Sequence, residues 1–310
     1  MEVMHHRAIN WETLLRLSDA QRAAELFATA QDATASDRPL VDDLDFYTAL
    51  LNCDVATLTE AYQQTQAAFA VADQLTILDR SSEAWPLQGV HSPYIPPFLY
   101  AQGNLGLLKS PTVAVLGTRT PSKAAKELTV ATAEALGKAG VCVVGGLSSG
   151  VEALAHRSAL AGSKPTIGIS ATELGSSYPV AHQALQAEIG QWGLLISRFA
   201  PGTEMEKVHL LLRNRLMSLL CDVLLIVEDR DGGTAVRQAE DALGRKQPVI
   251  IYQRSSENHS LLWPRRLSAS SWVTVIKKPK ELRSVLAQIL GTKREKKAED
   301  TSSLQLDLFG

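Results

Sequence analysis

The chain has 310 residues, of which 45% are apolar and 21% charged, a composition typical of a globular protein with one large domain or two smaller ones. No apolar run approaches the roughly 18 residues of a membrane-spanning helix, and the mixed residues 1–20 are unlike a secretory signal. Three widely separated cysteines form neither a disulfide framework nor a metal-ligand spacing, so we expect a cytoplasmic protein without a metal or other cofactor and without a membrane partner.

The net charge of −2 hides an uneven distribution along the chain. Residues 1–110 carry 6 basic and 14 acidic side chains, whereas residues 111–310 carry 25 basic and 19 acidic ones. A bound polyanion would therefore contact the second part of the chain. A chance imbalance of solvated surface charges explains the same numbers, so charge alone does not decide between the two.

Residues 1–80 are predicted to form a helical N-terminal domain, because apolar residues recur there at spacings of three and four. Residues 32–43 interrupt it as a polar loop, and residues 46–79 are predicted to form two further helices. Residues 81–110 contain four prolines and three glycines, which predicts a connector without regular structure.

From residue 111 onward, short β-branched runs alternate with segments of helical length and helical spacing. The predicted strands are 112–116, 141–144, 166–169, 194–197, 223–227, 249–252 and 272–276. Continuous apolar strands separated by helices are typical of a parallel sheet covered on both faces. Residues 111–291 are therefore predicted to form a doubly wound, Rossmann-like α/β domain. Residues 292–310 are predicted to be a flexible polar tail.

Ligands bind such sheets at the carboxyl ends of the strands, where helix N-termini point, and the first such loop holds Gly117, Thr118 and Arg119. The glycine permits a tight exit from the strand, and Arg119 with free backbone N–H groups would face a phosphate. Thr120 is predicted to cap the following helix, with Pro121 in its first turn. A capped loop with a surface arginine is the alternative interpretation.

The second candidate loop places three glycines and two serines between a strand and a helix, namely Gly145, Gly146, Ser148, Ser149 and Gly150. Such a loop lets the backbone approach a phosphate closely. Its glycine spacing does not match the dinucleotide-binding fingerprint. His156, further along the same helix, is predicted to be a packing residue rather than an acid or base.

Two further candidate sets follow later in the chain. Arg213 and Arg215 lie two residues apart on a predicted helix, about 200° apart around its axis. We therefore expect one of them to face the ligand and the other to pair with a carboxylate or a partner chain. Gly232, Gly233 and Thr234 repeat the pattern of strand, glycine and helix cap.

No nucleophile has an obvious base beside it and no familiar catalytic motif is present, which predicts a binding protein rather than an enzyme.

Residues from about 85 to 280 resemble the DprA/Smf family of DNA-processing proteins. Four motifs of the family occur here in the same order. Residues 117–119 correspond to its Gly-Ser-Arg strand exit, and residues 145–156 to its glycine-rich block ending in Ala-His. Residues 178–179 correspond to its Tyr-Pro pair, and residues 213–215 to its Arg-Asn-Arg helix. The resemblance implies binding of single-stranded DNA in a basic pocket of an extended Rossmann domain. It also implies a homodimer and loading of the RecA recombinase.

The same resemblance assigns DNA phosphates to Arg119 and the loop at 145–150. Lys164 and Arg198 are weaker candidates for the same role, because we expect them near the same strand ends.

Residues 305–309 are similar to the bacterial sliding-clamp-binding pentapeptide. The residues are Gln305, Leu306, Asp307, Leu308 and Phe309. The glutamine amide would make polar contacts with the clamp while Leu308 and Phe309 fill a hydrophobic pocket. Binding by such a short peptide is weak, and tethering to the same DNA would raise its effective concentration. A tail that folds back onto its own domain is the alternative.

Two other functions compete with DNA binding. The stretch 232–240 distantly resembles nucleotide phosphoribohydrolases, which share the predicted fold, so an enzyme of that type is the main alternative. A sensor of small nucleotides, with the DNA pocket adapted to a smaller ligand, is another.

Overall fold

The computed structural model describes residues 2–72 and 74–291. The predicted tail, with its clamp-binding residues Gln305, Leu306, Asp307, Leu308 and Phe309, lies outside the described residues. No helix in the described part of the chain is both long and apolar enough to cross a membrane.

The first part of the chain is helical, as predicted. Its helices are α1 (Glu2–Leu17), α2 (Ala20–Asp32), α3 (Leu44–Leu51) and α4 (Val55–Ala70). Asp19 and Asp54 begin α2 and α4, because each aspartate side chain accepts a backbone N–H of the first turn. The helices pack around a core that includes Trp11, Phe27 and Tyr47.

Within the described residues, nine strands form one sheet. The strands are β1 (Thr76–Leu78), β2 (Leu99–Gly103), β3 (Thr112–Gly117), β4 (Cys142–Gly145), β5 (Thr166–Ile169), β6 (Leu194–Ser197), β7 (Val223–Glu228), β8 (Val249–Tyr252) and β9 (Val273–Ile276). Their order across the sheet is β1-β2-β6-β5-β4-β3-β7-β8-β9. β2 is antiparallel to both of its neighbours, β1 and β6. The other seven strands, from β6 across the sheet to β9 at the far edge, are parallel to one another.

Helices cover both faces of the sheet and form two hydrophobic cores with it. They are α5 (Lys123–Lys138), α6 (Val151–Ala161), α7 (Gln183–Trp192), α8 (Lys207–Leu220), α9 (Thr234–Gly244), α10 (Gln253–Glu257), α11 (Trp263–Ser268) and α12, which covers 282–291. The predicted doubly wound α/β fold is thus confirmed, and each predicted strand agrees with the structure to within one residue at either end.

Residues 76–103 depart from the sequence prediction. β1 lies in a segment predicted to be helical, and β2 lies in the segment 81–110 that was predicted to have no regular structure. The prolines at 96 and 97 come just before β2 and therefore remove none of its hydrogen bonds. β2 is a strand because it pairs with the remote β6, with Ala101 opposite Ile196.

The chain order of the sheet reverses between β3 and β7. The chain adds β4, β5 and β6 on one side of β3, then crosses back and adds β7, β8 and β9 on the other. The helices that follow β3 and β7 therefore diverge and leave a crevice at the carboxyl ends of these two strands, which is where open α/β sheets bind their ligands.

Candidate functional site

A crevice with a cavity volume of about 690 Å³ opens at the ends of β3 and β7, and it continues as a groove between α8 and α9. Basic side chains outnumber acidic ones along it. The lining cations are Arg119, Lys207, Arg213, Arg215, Arg230, Arg237 and Arg245, and the lining carboxylates are Glu152, Asp229 and Asp241. This balance of charge suits an anionic ligand.

Arg119 is exposed at the mouth of the crevice because a tight turn follows β3. The Thr118 N–H donates to the carbonyl of Glu228 at 2.7 Å, and the Thr118 carbonyl accepts the N–H of Val151. Gly150 packs directly behind this turn with φ +81°, and a Cβ added there would lie 2.5 Å from the Arg119 carbonyl oxygen. Among the described residues no carboxylate forms an ion pair with Arg119, so its charge faces solvent.

The cap of α5 differs from the prediction. Ser122, not Thr120, occupies the N-cap, where its hydroxyl accepts the N–H of Ala125. The same hydroxyl donates to the carboxylate of Glu228 at 2.7 Å. The helix begins after Ser122 because that residue has the extended backbone and the side-chain hydrogen bond of a cap.

The glycines of the second loop make room for the protein's own side chains. A Cβ at Gly145 would lie 2.6 Å from Nε2 of His156, and one at Gly146 would lie 2.5 Å from Cζ of Arg213. The N–H of Gly146 donates to the buried carboxylate of Glu152 at 2.7 Å. The space that we predicted for a phosphate next to these two glycines is therefore already filled.

Ser148 and Ser149 are half-buried in the same loop, and of the two only Ser148 lines the crevice. The hydroxyl of Ser148 accepts a hydrogen bond from the Arg213 guanidinium at 3.1 Å. Ser148, rather than the glycines before it, is therefore the part of this loop that a ligand in the crevice can reach.

The loop after β7 also has its amides occupied. The carboxylate of Asp229 accepts the N–H groups of Ala235 at 2.9 Å and Val236 at 3.3 Å. Gly233 is pressed against the same carboxylate and has no room for a Cβ, while Gly232 and Thr234 are exposed. Thr234 is therefore not the predicted helix cap: Gly233 occupies the N-cap, and the Asp229 carboxylate accepts amides of the first turn that a phosphate would otherwise bind.

Arg213 and Arg215 have separate surroundings, although both line the crevice. Arg213 is buried beneath the second loop and donates to Asn214 Oδ1 at 2.8 Å, and burial lowers the pKa of its guanidinium. Arg215 stacks on Tyr94, with its Cζ 3.6 Å from the ring centroid. Neither forms an ion pair with a carboxylate among the described residues, although the Glu152 charge lies close enough to favour the charged form of Arg213. Arg215 contacts an aromatic ring instead of the predicted carboxylate, and its contact with a partner chain stays a prediction.

Lys164 and Arg198 do not join the crevice. Lys164 precedes β5 and therefore lies at the amino edge of the sheet, where its aliphatic stem packs against Gly137. Its predicted placement is wrong because the crevice lies at the carboxyl edge. Arg198 follows β6 at the correct edge, but its guanidinium donates to the carbonyl of Tyr94 at 3.1 Å and thereby supports the residue on which Arg215 stacks.

A second groove of about 530 Å³ adjoins the crevice at Arg119. Its lining includes Lys126, Arg157 and His182, and no acidic side chain lines it within the described residues. The two grooves form one basic path past Arg119. Sequence analysis did not identify Lys126, Arg157, Lys207 or Arg230, because nothing in the sequence distinguishes them from cations on ordinary solvated surfaces.

His156 is a packing residue, as predicted. Its ring is fully buried and Nδ1 lies 2.7 Å from Thr166 Oγ1. Burial lowers the pKa of the imidazole to about 4, so it is neutral at pH 7.

This lowered pKa predicts a pH-dependent contribution to stability. The unfolded histidine titrates near pH 6.5, so between about pH 4 and 6.5 the unfolded chain binds more protons than the folded one. The contribution is thus complete above pH 6.5 and is lost as the pH falls toward 4. We expect the stability cost of His156→Gln to be about 2 kcal/mol smaller at pH 5 than at pH 7 in urea unfolding. An equal cost at both pH values would contradict this assignment.

Comparisons with known proteins identify relatives of this chain. The family model for DNA recombination-mediator protein A matches residues 76–285. The DNA processing protein DprA of Streptococcus pneumoniae is 35% identical over 166 residues, which cover 54% of this chain and 58% of that protein. The Bacillus subtilis DprA is 27% identical over 173 residues, which cover 55% of this chain and 58% of that protein. The chain therefore spans little more than half the length of these relatives.

Solved structures show the same architecture. The X-ray structure of DprA from Streptococcus pneumoniae superposes with a TM-score of 0.66 at 22% identity, and the alignment covers 91% of this chain and 95% of that one. A DprA structure from Helicobacter pylori superposes with a TM-score of 0.61 at 27% identity, covering 69% of this chain and 96% of that one. The Helicobacter pylori protein has a unique single-stranded DNA binding mode.

Proposed function

The chain belongs to the family of DNA recombination-mediator protein A, and from this premise we propose that it binds single-stranded DNA in the crevice at the ends of β3 and β7. The observation that carries the proposal is a set of exposed crevice cations without carboxylate partners among the described residues: Arg119, Lys207, Arg230 and Arg237. Phosphate contacts from such side chains supply most of the affinity of proteins that bind DNA without sequence preference.

The DNA strand would be held mainly by side chains and less by backbone amides. The Glu152 carboxylate already accepts the Gly146 amide of the second loop, and the Asp229 carboxylate accepts two amides of the first turn of α9. Guanidinium and ammonium groups therefore make the phosphate contacts, and Ser148 adds a hydroxyl group. The strand would continue past Arg119 into the second groove along Lys126 and Arg157.

The surroundings of Tyr94 support a contact with a base at the edge of this path. The residue is 37% exposed, and the Cζ atom of Arg215 lies 3.6 Å from the centroid of its ring. Base stacking on an aromatic side chain adds affinity without sequence preference. Few aromatic residues line the path, so the phosphate contacts dominate.

The amides at the N-terminus of α9 are already bound by Asp229, and this favours DNA binding over the phosphoribohydrolase and nucleotide-sensor alternatives. A nucleotide phosphate bound there would have to displace the Asp229 carboxylate, which holds two amides of the first turn. A DNA strand bound by the exposed cations leaves this carboxylate in place.

The binding of a fluorescently labelled thymidine 20-mer to the full chain between 50 and 300 mM salt tests the proposal. Neutralising about five phosphates gives a slope of about −3.5 in log K against log salt, at −0.7 for each phosphate of a single strand. A slope near zero would contradict the proposal. Release of free base from nucleoside monophosphates would instead support the phosphoribohydrolase.

The family membership extends the proposal to recombination. We propose that the DNA-bound protein is a homodimer that loads a RecA-type recombinase onto the strand. Light scattering of the full chain measures the dimer, and the rate of RecA filament formation on DNA coated with single-strand-binding protein measures loading.

Docking on the sliding clamp through Gln305–Phe309 is proposed from the sequence of that segment. Binding of the full chain to immobilised clamp, with the free peptide as competitor, tests it.

A further inference from the structure

A second cavity, of about 500 Å³, lies at the opposite edge of the sheet from the DNA crevice, beside the first residues of β7, β8 and β9. Its apolar walls are formed by Val90, Leu219, Pro248, Trp272, Val285 and Ile289. Arg245 and Lys246 add two exposed cations at its rim, and Asp222, whose carboxylate accepts the N–H of Thr112 at 3.0 Å, adds one acidic group. The volume lies within the range of about 300–1,000 Å³ that ligand pockets occupy, so the cavity can take several apolar side chains. Ser218 and Arg245 also line the far end of the DNA crevice, but none of the side chains to which we assign DNA contacts lines this cavity.

The chain itself leads from this cavity to an apolar segment. Val285 and Ile289 lie on α12, and the described chain ends at residue 291, only about 3 Å beyond Ile289 along the helix axis. Residues 292–303 are mostly polar and can span at most about 40 Å. The residues that follow are rich in large apolar side chains, namely Leu304, Leu306, Leu308 and Phe309.

We propose that the segment 304–309 of the same chain occupies this cavity. Its leucine and phenylalanine side chains contact the apolar walls, and Asp307, its one charged residue, lies near Arg245 and Lys246. A short tether gives an effective concentration in the millimolar range, so even a weak contact keeps the cavity filled for most of the time.

Occupation of the cavity would regulate access to the segment. If the same residues also bind the sliding clamp, the clamp competes with the cavity for them. The apparent affinity of the clamp is then reduced by the fraction of chains in which the segment is free. The cavity contact itself requires neither the clamp nor DNA.

Photo-cross-linking in the full chain tests this contact directly. The substitution Phe309→p-benzoylphenylalanine places a reactive group in the segment, and irradiation at about 1 μM protein is followed by peptide mapping, without DNA or clamp. We expect intramolecular adducts on α12 and around Trp272. Ser271→Arg and Thr274→Lys place cations at the cavity lining and are expected to reduce the adduct yield at least tenfold. Ser284→Arg, at an exposed position of α12 outside the cavity lining, is the matched control and leaves the yield unchanged.

Three results would overturn the proposal: adducts on other surfaces, cross-links between two chains that increase with concentration, or an unchanged yield in both cavity variants. Thermal unfolding of each variant establishes that it is folded. Because no DNA is present, failure of this test leaves the DNA-binding proposal untouched, and failure of DNA binding leaves this one untouched.

Discussion

Arg119→Gln is expected to weaken binding of single-stranded DNA by about 10- to 100-fold, whereas Lys164→Gln, which removes the same charge, leaves binding unchanged. Arg119 is exposed at the junction of the two basic grooves. A hydrogen bond from a guanidinium to a charged phosphate contributes about 1.5–3 kcal/mol, which corresponds to the expected loss. Lys164 is equally exposed but lies at the amino edge of the sheet.

The salt dependence separates loss of a phosphate contact from damage to the fold. Removing one contact is expected to make the slope of log K against log salt less steep by about 0.7. Fluorescence anisotropy of a labelled oligonucleotide measures both affinity and slope. Wild-type binding by Arg119→Gln, or an equal loss in Lys164→Gln, would show that the DNA lies elsewhere.

Gly150→Ala is expected to lower the free energy of unfolding by about 2–4 kcal/mol and to reduce DNA binding as strongly as loss of Arg119. The φ of +81° at this position strains any residue with a side chain, at a cost of about 1–3 kcal/mol. The added methyl group would also lie 2.5 Å from the Arg119 carbonyl oxygen. The turn that carries Arg119 must therefore move away from α6.

Gly244→Ala is the matched control for this substitution. Gly244 is the last residue of α9, its φ is not positive, and no atom of the described residues lies within 4 Å of an added Cβ. The same chemical change is expected to be neutral or to stabilise by about 0.5–1 kcal/mol. Urea unfolding and DNA binding of both variants provide the measurements. A Gly150→Ala protein with wild-type stability and affinity would contradict the packing described for this loop.

The parallel sheet could be predicted from the sequence because each of its strands is a continuous apolar run between helices. β2 could not, because Leu99–Gly103 forms a strand only by pairing with the remote β6. The location of Arg119 at the mouth of the crevice could be predicted from the sequence, because the residue directly follows a central strand. The same reasoning, applied to Lys164, overlooked that this residue precedes its strand and so lies at the opposite edge.

Whether the backbone amides at the helix N-termini are free to bind a phosphate could not be predicted from the sequence either. Glycine-rich loops predict free amides, but whether a carboxylate already binds them depends on the fold. Glu152 and Asp229 each accept amides a few residues away along the chain. Because these amides are occupied, we propose that exposed side chains rather than backbone amides contact the DNA phosphates. The arginines of the crevice are therefore the residues to test.

Arginine footprinting tests that claim most directly. The full chain is treated with a glyoxal reagent, with and without a saturating thymidine 20-mer, and the modified arginines are quantified by mass spectrometry. We expect the DNA to protect Arg119, Arg157 and Arg237 and to leave unchanged the modification of Arg22, which is exposed on α2. Bound DNA that leaves Arg119 and Arg237 as reactive as in the free protein would contradict it.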